Sequence, residues 1–111
     1  MVEQKDERLS RTLKAISDST RREIITDLIQ QGPTRVTDLA SCYSISLNAV
    51  SKHIKVLENA ELVTRTTHGR IHLIEATTGP VTEIEQWLSK LNSIWALRLD
   101  KLSRQLGEFD D

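Results

Sequence analysis

The sequence predicts a mainly α-helical fold with one small β-hairpin. Aromatic residues make up only 4% of the 111 residues, and a large part of the other apolar content is Leu, Ile and Val at helical spacing, which is typical of a helical body. Two apolar, β-branched runs on either side of Gly69 are the exception and indicate the hairpin. We expect about five helices and a two-stranded hairpin in a single domain over residues 1–111, which is short for an enzyme with a buried active site.

Two helices are predicted to form the body of the domain. The first, over residues 6–17, carries Leu9 and Leu13 at helical spacing. The second begins after Asp18, whose carboxylate can cap its first turn, and ends where a glycine and a proline follow each other. These helices should support the elements that come next.

Residues 36–57 have the length and pattern of a helix-turn-helix. A short apolar segment at residues 36–40 predicts the first helix, and Ser46, a good N-cap, predicts the start of the second after a turn of a few residues. The second helix has aliphatic residues on one side and polar and basic residues on the other, a mixture suited to base edges and phosphates. An ordinary amphipathic surface helix is the alternative. The residues of this helix that we predict to contact DNA are Ser46, Leu47, Asn48, Ser51, Lys52 and Lys55.

Leu47 has two interpretations. On a helical wheel it leans toward the apolar stripe formed by Val50, Ile54 and Leu57, which favours packing in the core of the domain. The alternative is a contact with the methyl group of a thymine in the major groove.

The hairpin follows the helix-turn-helix directly. Two β-branched runs within residues 62–75 are joined through Gly69, the residue type that a tight turn favours. A helix-turn-helix followed by such a hairpin is a winged helix, and basic residues of the wing would contact the phosphate backbone or the neighbouring minor groove. These residues are Arg65, His68 and Arg70; a solvated loop is the alternative.

Three segments of the chain resemble the ArsR-type (arsenical-resistance repressor) winged-helix regulators. Residues 13–25 are similar to the opening of that family, residues 36–40 to its first helix-turn-helix segment, and residues 46–63 to its most specific motif. The resemblance covers nearly everything from residue 13 to residue 106. It implies a homodimeric, sequence-specific DNA-binding regulator that acts as a repressor.

The chain departs from the family pattern at two helix ends. Ser19 stands where the family usually has a proline, and Asp18 can still cap that helix. Glu61 takes the place of the glycine that usually ends the recognition helix in a left-handed conformation. Either Asn59 adopts that conformation instead or Glu61 tolerates the strain.

A long helix is predicted over residues 80–106. Its apolar residues are too widely spread for one narrow stripe, so we expect two buried faces, one against the first helix and one against a second subunit; a helix folded only onto its own core is the alternative. The family dimerises through its first and last helices, residues 6–17 and 80–106 here, and a two-fold dimer would read an inverted repeat with half-sites roughly 34 Å apart. The predicted interface residues are Leu9, Leu13, Trp87, Leu88, Leu91, Trp95, Leu99 and Leu102.

The residues available for sensing are few. Metal sensors of this family use cysteine pairs before the recognition helix, or Asp, Glu and His pairs on the last helix. This chain has one cysteine, Cys42, and no His or Cys in its last helix, so we expect no metal and no cofactor, with Cys42 as a packed or half-exposed thiol. A metal- or thiol-responsive repressor of the same family is the alternative. A small apolar inducer held between Trp87, Trp95 and the first helix is a further hypothesis.

Charge and composition limit the remaining classes of function. The net charge is −1, yet residues 51–70 hold a basic surplus on the predicted DNA side, so nonspecific binding should be weak and salt-dependent. The chain has no catalytic motif, and we expect no enzyme; a winged-helix protein-interaction module without DNA binding is the competing class. The charged N-terminus and the lack of a long apolar run predict no membrane contact and a cytoplasmic location.

Overall fold

A computed structural model describes residues 2–108 of the chain, and this part contains five helices and three strands. The predicted fold class, mainly helical with a small antiparallel sheet, is confirmed. The helices are α1 (Val2–Ala15), α2 (Ser19–Gln31), α3 (Val36–Ala40), α4 (Leu47–Asn59) and α5 (Gly79–Glu108), and the strands are β1 (Thr34–Arg35), β2 (Val63–His68) and β3 (Ile71–Ala76).

The residues directly next to α2 set both of its ends. The Asp18 carboxylate accepts a hydrogen bond from the backbone N–H of Arg21 at 3.0 Å, so the predicted cap is confirmed. That hydrogen bond lowers the pKa of Asp18 below its ordinary value of 3.8. At the other end, Gly32 has a φ of 80°, and its N–H donates to the carbonyl of Leu28 at 2.9 Å.

The sheet contains one strand that the sequence pattern did not predict. Its order is β1-β3-β2, and both pairs are antiparallel. The added strand β1 is only two residues long and pairs Thr34 with Ile74 and Arg35 with Leu73. Two residues are too few to show an alternating pattern, so nothing in the sequence distinguishes them from a loop. Because α3 begins at the next residue, β1 fixes the start of the helix-turn-helix against the wing.

The core lies where α2, α3, α4 and the sheet meet. Leu28, Leu39, Ile54, Leu57 and Ile74 are each at most 1% exposed, and burying side chains of this size stabilises the fold by about 1.5–3 kcal/mol each. The buried cluster comprises Ala15, Ile24, Ile25, Leu28, Leu39, Val50, Ile54, Leu57, Ala60, Leu62, Val63 and Ile74. Since every element before α5 except the short β1 contributes to it, the orientation of α4 is fixed by the whole domain.

The end of α4 resolves the two alternatives for its left-handed residue. Glu61 has a φ of 62°, whereas Asn59 is the last residue of the helix. The N–H of Leu62 donates to the carbonyl of Leu57 at 2.9 Å, and the N–H of Glu61 donates to that of Glu58 at 3.0 Å. This pair of hydrogen bonds is the Schellman motif, and the buried side chains of Leu57 and Leu62 occupy its usual apolar positions.

We expect Glu61→Gly to stabilise the domain. A side chain in the left-handed region is unfavourable, while glycine adopts it freely, so the free energy of unfolding should rise by about 1 kcal/mol after allowance for the more flexible unfolded chain. Chemical denaturation would measure the change. Glu61→Ala removes the same carboxylate but keeps Cβ, and it should unfold like the parent. Equal stabilisation by both variants would show that charge, rather than the backbone conformation, causes the effect.

The described residues divide into two compact units with a boundary between Val81 and Thr82, inside the first turns of α5. The first unit holds α1 to α4 and the sheet, and the second holds the rest of α5. Within residues 2–108, no helix combines the length and the apolar character that crossing a membrane requires.

Candidate nucleic-acid interface

The first turn of α4 is held by the predicted N-cap. The Ser46 hydroxyl accepts a hydrogen bond from the N–H of Ala49 at 3.1 Å, and its carbonyl accepts from Val50 at 3.0 Å. The helix therefore begins at Leu47, and its N-terminal residues occupy the position from which a recognition helix contacts base edges.

The two sides of α4 have opposite character. Val50, Ile54 and Leu57 are all 0% exposed, which confirms the predicted core stripe. On the other side, Asn48, Lys52 and Lys55 are exposed, and Ser51 is half-buried. An amide and two ammonium groups are thus open to solvent on a rigid helix, with donors and acceptors for both bases and phosphates.

The preferred interpretation of Leu47 as a core residue is wrong. Its side chain is 51% exposed, and Ile45, just before the helix, is 39% exposed. Val50, Ile54 and Leu57 already fill the space beneath α4, and Leu47 lies beyond the edge of that space in the first helical turn. The thymine-methyl contact remains as a prediction.

The hairpin ends in a tight turn that displays two basic residues. His68 pairs with Ile71, so only Gly69 and Arg70 connect the strands. Gly69 has a φ of 63° while Arg70 has a negative φ, as in a type II′ turn, which needs glycine first. The predicted hairpin is confirmed, and His68 and Arg70 are exposed at its tip.

Arg65 lies nearer the base of the wing than the other two predicted contacts. Its Nε atom is 3.5 Å from Oε2 of Glu58 on α4, and 27% of its side chain is exposed. The pair ties β2 to the recognition helix, although surface ion pairs contribute only about 0–1 kcal/mol. The sequence patterns of the helix and of the hairpin, considered separately, do not predict this ion pair. Because Glu58 partly neutralises Arg65, Arg70 is the freer cation of the wing.

Comparison with known proteins places this arrangement in a family. A family model described as a helix-turn-helix domain matches residues 16–66. The chain is similar to the arsenical resistance operon repressor of Bacillus subtilis (strain 168), with 39% identity over 56 residues, or 50% of this chain and 53% of that protein. It is also similar to the transcriptional repressor SdpR of the same strain, with 30% identity over 80 residues, or 72% of this chain and 88% of SdpR.

A solved structure extends the similarity to the fold. The crystal structure of an ArsR family transcriptional regulator, RHA00566, has 30% sequence identity and a TM-score of 0.77, and the match covers 82% of this chain and 93% of that one. The chain belongs to the ArsR family. This ArsR-family protein is therefore a DNA-binding transcriptional regulator with a winged helix-turn-helix, and it is not an enzyme.

A polar cluster connects α2 to the recognition helix of the regulator. Arg21 donates through Nε to the carbonyl of Ala15 at 2.5 Å, and its Nη1 atom lies 3.3 Å from Nδ1 of His53. The same His53 nitrogen is 4.0 Å from the Asp18 carboxylate. His53 therefore contacts the body of the domain from α4. It helps to hold α4 in place.

Tyr43 fixes the turn between the two helices of the helix-turn-helix. Its hydroxyl donates a hydrogen bond to the Asp27 carboxylate of α2. Burial, together with the neighbouring Asp27 carboxylate, raises the pKa of Tyr43 well above its ordinary value of 10.0. The hydroxyl thus stays protonated as a donor at neutral pH.

We expect Tyr43→Phe to lower the free energy of unfolding by about 1.5 kcal/mol, at the low end for a hydrogen bond to a charged group because Tyr43 is only partly buried. Urea denaturation would measure the loss. Asp27→Asn, alone and combined with Tyr43→Phe, provides the control, since the double variant should lose less than the sum of the two single losses. Fully additive losses would mean that the two side chains do not act as a pair.

Residues with metal-binding chemistry come together at most in pairs in the described part of the regulator. Among the described residues, no group of three or more His, Cys, Asp or Glu side chains is arranged to hold a metal ion. Cys42 is exposed, and its Sγ atom is 3.6 Å from the carbonyl oxygen of Asp38. The thiol is therefore not packed in the core; the residue lies in the turn after α3, which the core does not cover.

The long helix α5 carries most of the exposed apolar surface. From Trp87 onward its large apolar side chains are 40% to 70% exposed, while Leu9 and Leu13 of α1 are half-buried. Apolar surface this extensive on one element marks an interaction site. The exposed residues are Trp87, Leu88, Leu91, Ile94, Trp95, Leu97, Leu99, Leu102 and Leu106.

Proposed function

We propose that this ArsR-family regulator is a homodimeric repressor that binds an inverted-repeat operator and does so without a metal ion. The observation that carries the proposal is the division of α4, which buries Val50 and Ile54 completely and leaves Asn48 and Lys52 exposed. A helix that is held this firmly can present its polar residues to a groove without the entropic cost of ordering its backbone on binding.

The exposed groups suggest how the contacts are divided. The Asn48 amide has the geometry to bind adenine bidentately, and Lys52 can donate to guanine. Lys55, Arg70 and His68 are suited to phosphates, which set the position of the protein but do not read sequence. Ser46, Ser51 and the Leu47 side chain complete the reading surface, and Arg65 contributes least because Glu58 shares its charge.

The apolar residues of α5 support a dimer. Ile84, Leu88, Leu91, Trp95, Leu99, Leu102 and Leu106 follow one another three or four positions apart, so they form a continuous stripe along the helix. A two-fold partner buries such a stripe against itself. The interface that we propose contains two residues of α1 and six of α5. These are Leu9, Leu13, Trp87, Leu88, Leu91, Trp95, Leu99 and Leu102.

The distribution of potential ligands supports metal independence. The family's metal sites need paired ligands, but Cys42 is the one cysteine of the chain, and α5 has no His or Cys in its sequence. Glu83 and Glu85 of α5 are two positions apart and so do not share a helical face. Operator binding should therefore be the same in the presence of a chelator, of Zn²⁺ or of arsenite; release of the operator by either metal species would support the metal-responsive alternative.

Selection of bound fragments from random DNA tests the proposal directly. We expect the selected DNA to contain an inverted repeat with half-sites roughly 34 Å apart. We also expect each inverted repeat to bind two subunits of the protein. The selected operator, placed between a promoter and a reporter, should reduce expression when the protein is present. Equal and feeble binding of every sequence would instead support a protein-interaction module.

An apolar inducer at Trp87 and Trp95 is the proposal for regulation. In the single chain Trp87 and Trp95 are 40% and 58% exposed, and a molecule bound against them in the dimer should change their fluorescence. Titration of candidate apolar compounds, followed by tryptophan fluorescence and operator release together, tests this idea. Compounds that change neither signal would count against an inducer at these residues.

A further inference from the structure

An open cleft of about 200 Å³ lies between the start of α3 and the wing. It is lined by residues 35–37 on one side and residues 70–72 on the other. At about 30 Å³ for each water molecule, the cleft can hold several waters or a hydrated anion. We call it the Arg35 cleft. Arg70 is a predicted residue of the wing, whereas no pattern in the sequence distinguishes Arg35.

The unpredicted strand β1 builds this cleft. Arg35 pairs with Leu73 in the sheet, so its backbone is held two positions from Ile71. The two-residue turn at Gly69 and Arg70 fixes the opposite wall. β1 and β3 thus belong to one sheet, whose backbone hydrogen bonds hold Arg35 and the two-residue turn with Arg70 on the two sides of the cleft.

The charges of the cleft favour an anion. Arg35 and Arg70 are both exposed, and neither forms an ion pair with another residue in the described range 2–108. His72 adds a third nitrogen-bearing side chain, with its Nδ1 atom 3.1 Å from the hydroxyl oxygen of Thr67. Two guanidinium groups that line one cleft repel each other, and an anion bound between them offsets that repulsion because it attracts both. Guanidinium groups bind phosphate oxygens through paired, charge-assisted hydrogen bonds.

We propose that the Arg35 cleft binds a phosphate group, with Arg35 and Arg70 as its ligands. The proposal rests on the DNA-binding function, because one wall belongs to the helix-turn-helix and the other to the wing. A backbone phosphodiester of the bound duplex is one source of the group, and a free phosphate ester is the other. In the first case Arg35 joins the DNA-contacting residues and fixes the register of the wing on the duplex.

Salt dependence of DNA binding tests the first source. Arg35→Gln should weaken binding to the operator and to an unrelated duplex by the same factor. It should also make the slope of log K against log salt shallower by about 0.9 for each bound subunit. Arg35→Lys, which keeps the charge, should retain the parent slope. Arg22→Gln is the matched control, because Arg22 is exposed on α2, outside the cleft and outside the proposed dimer interface, and should leave slope and affinity unchanged. Equal melting temperatures would show that all variants are folded.

Titration with inorganic phosphate, without DNA, tests the second source. Saturable shifts of the backbone amide NMR signals of residues 35–37 and 70–72, lost in Arg35→Gln, would assign the cleft to a free phosphate ester even if the salt slope is unchanged. A shallower slope without saturable shifts would assign it to the duplex. An unchanged slope together with an absence of saturable shifts overturns the proposal. The unrelated duplex keeps this test separate from the proposed operator, since phosphate contacts do not depend on an inverted repeat.

Discussion

Leu91→Glu is expected to convert the proposed dimer to monomers and to abolish tight operator binding. Leu91 is 45% exposed in the single chain, so the change should leave the fold of each subunit intact. In a two-fold dimer it would place two unpaired carboxylates in an apolar interface, which costs about 3–5 kcal/mol and weakens association roughly 10²- to 4 × 10³-fold. Sedimentation velocity would measure the mass of the particle, and fluorescence anisotropy would measure operator binding.

Ser93→Glu is the control for this substitution. It adds the same negative charge to α5, and Ser93 lies on the side of the helix opposite the stripe that contains Leu91 and Trp95. This variant should remain a dimer and should bind the operator nearly as well as the parent. If Leu91→Glu also remains dimeric, the interface is not formed by this stripe. If it becomes monomeric but still binds the operator tightly, two linked recognition helices are not needed.

Asn48→Ala and Lys52→Ala are expected to reduce operator affinity while folding and dimerisation stay intact. Both side chains are exposed on α4 and contribute nothing to its buried stripe. Loss of a base contact should cost about 1–3 kcal/mol in each half-site, or roughly 5- to 160-fold. The loss should be much smaller for an unrelated duplex. Competition binding with both DNAs would separate the loss of sequence reading from a general loss of affinity.

Asn59→Ala provides the matched comparison for Asn48→Ala. It removes the same amide from the opposite end of α4, where the helix ends beneath the Schellman motif. We expect operator binding to be unchanged in this variant. Parent-like binding by both Asn48→Ala and Lys52→Ala would contradict the assignment of the reading face.

Local sequence patterns were sufficient to predict the helices and the wing. Ser46 and Asp18 cap their helices through hydrogen bonds that reach only three residues along the chain, and the stripe from Val50 to Leu57 depends on helical periodicity alone. Gly69 similarly sets the hairpin through its own backbone conformation. Interactions within one element can be predicted from neighbouring residues, because the geometry of helices and tight turns is nearly constant.

Contacts between elements could not be predicted in this way. Prediction was also incomplete at one helix end. The sequence indicated a left-handed residue near the end of α4, but only the backbone of the folded chain shows that this residue is Glu61. Leu47 leans toward the core on a helical wheel, yet the wheel does not show where the core ends. The pairing of Tyr43 with Asp27 likewise joins residues that no short pattern relates.

The sequence by itself determined the order of the helices and the wing, the buried side of α4 and the polar residues that α4 exposes, because periodicity and capping act over a few residues. The tertiary structure alone decided that β1 pairs with β3, that Arg65 shares its charge with Glu58 and that Arg35 meets Arg70 across a cleft. The physical reason is that these last features depend on the register of a sheet and on the packing of strands against helices, which bring distant residues together and leave no local trace in the chain.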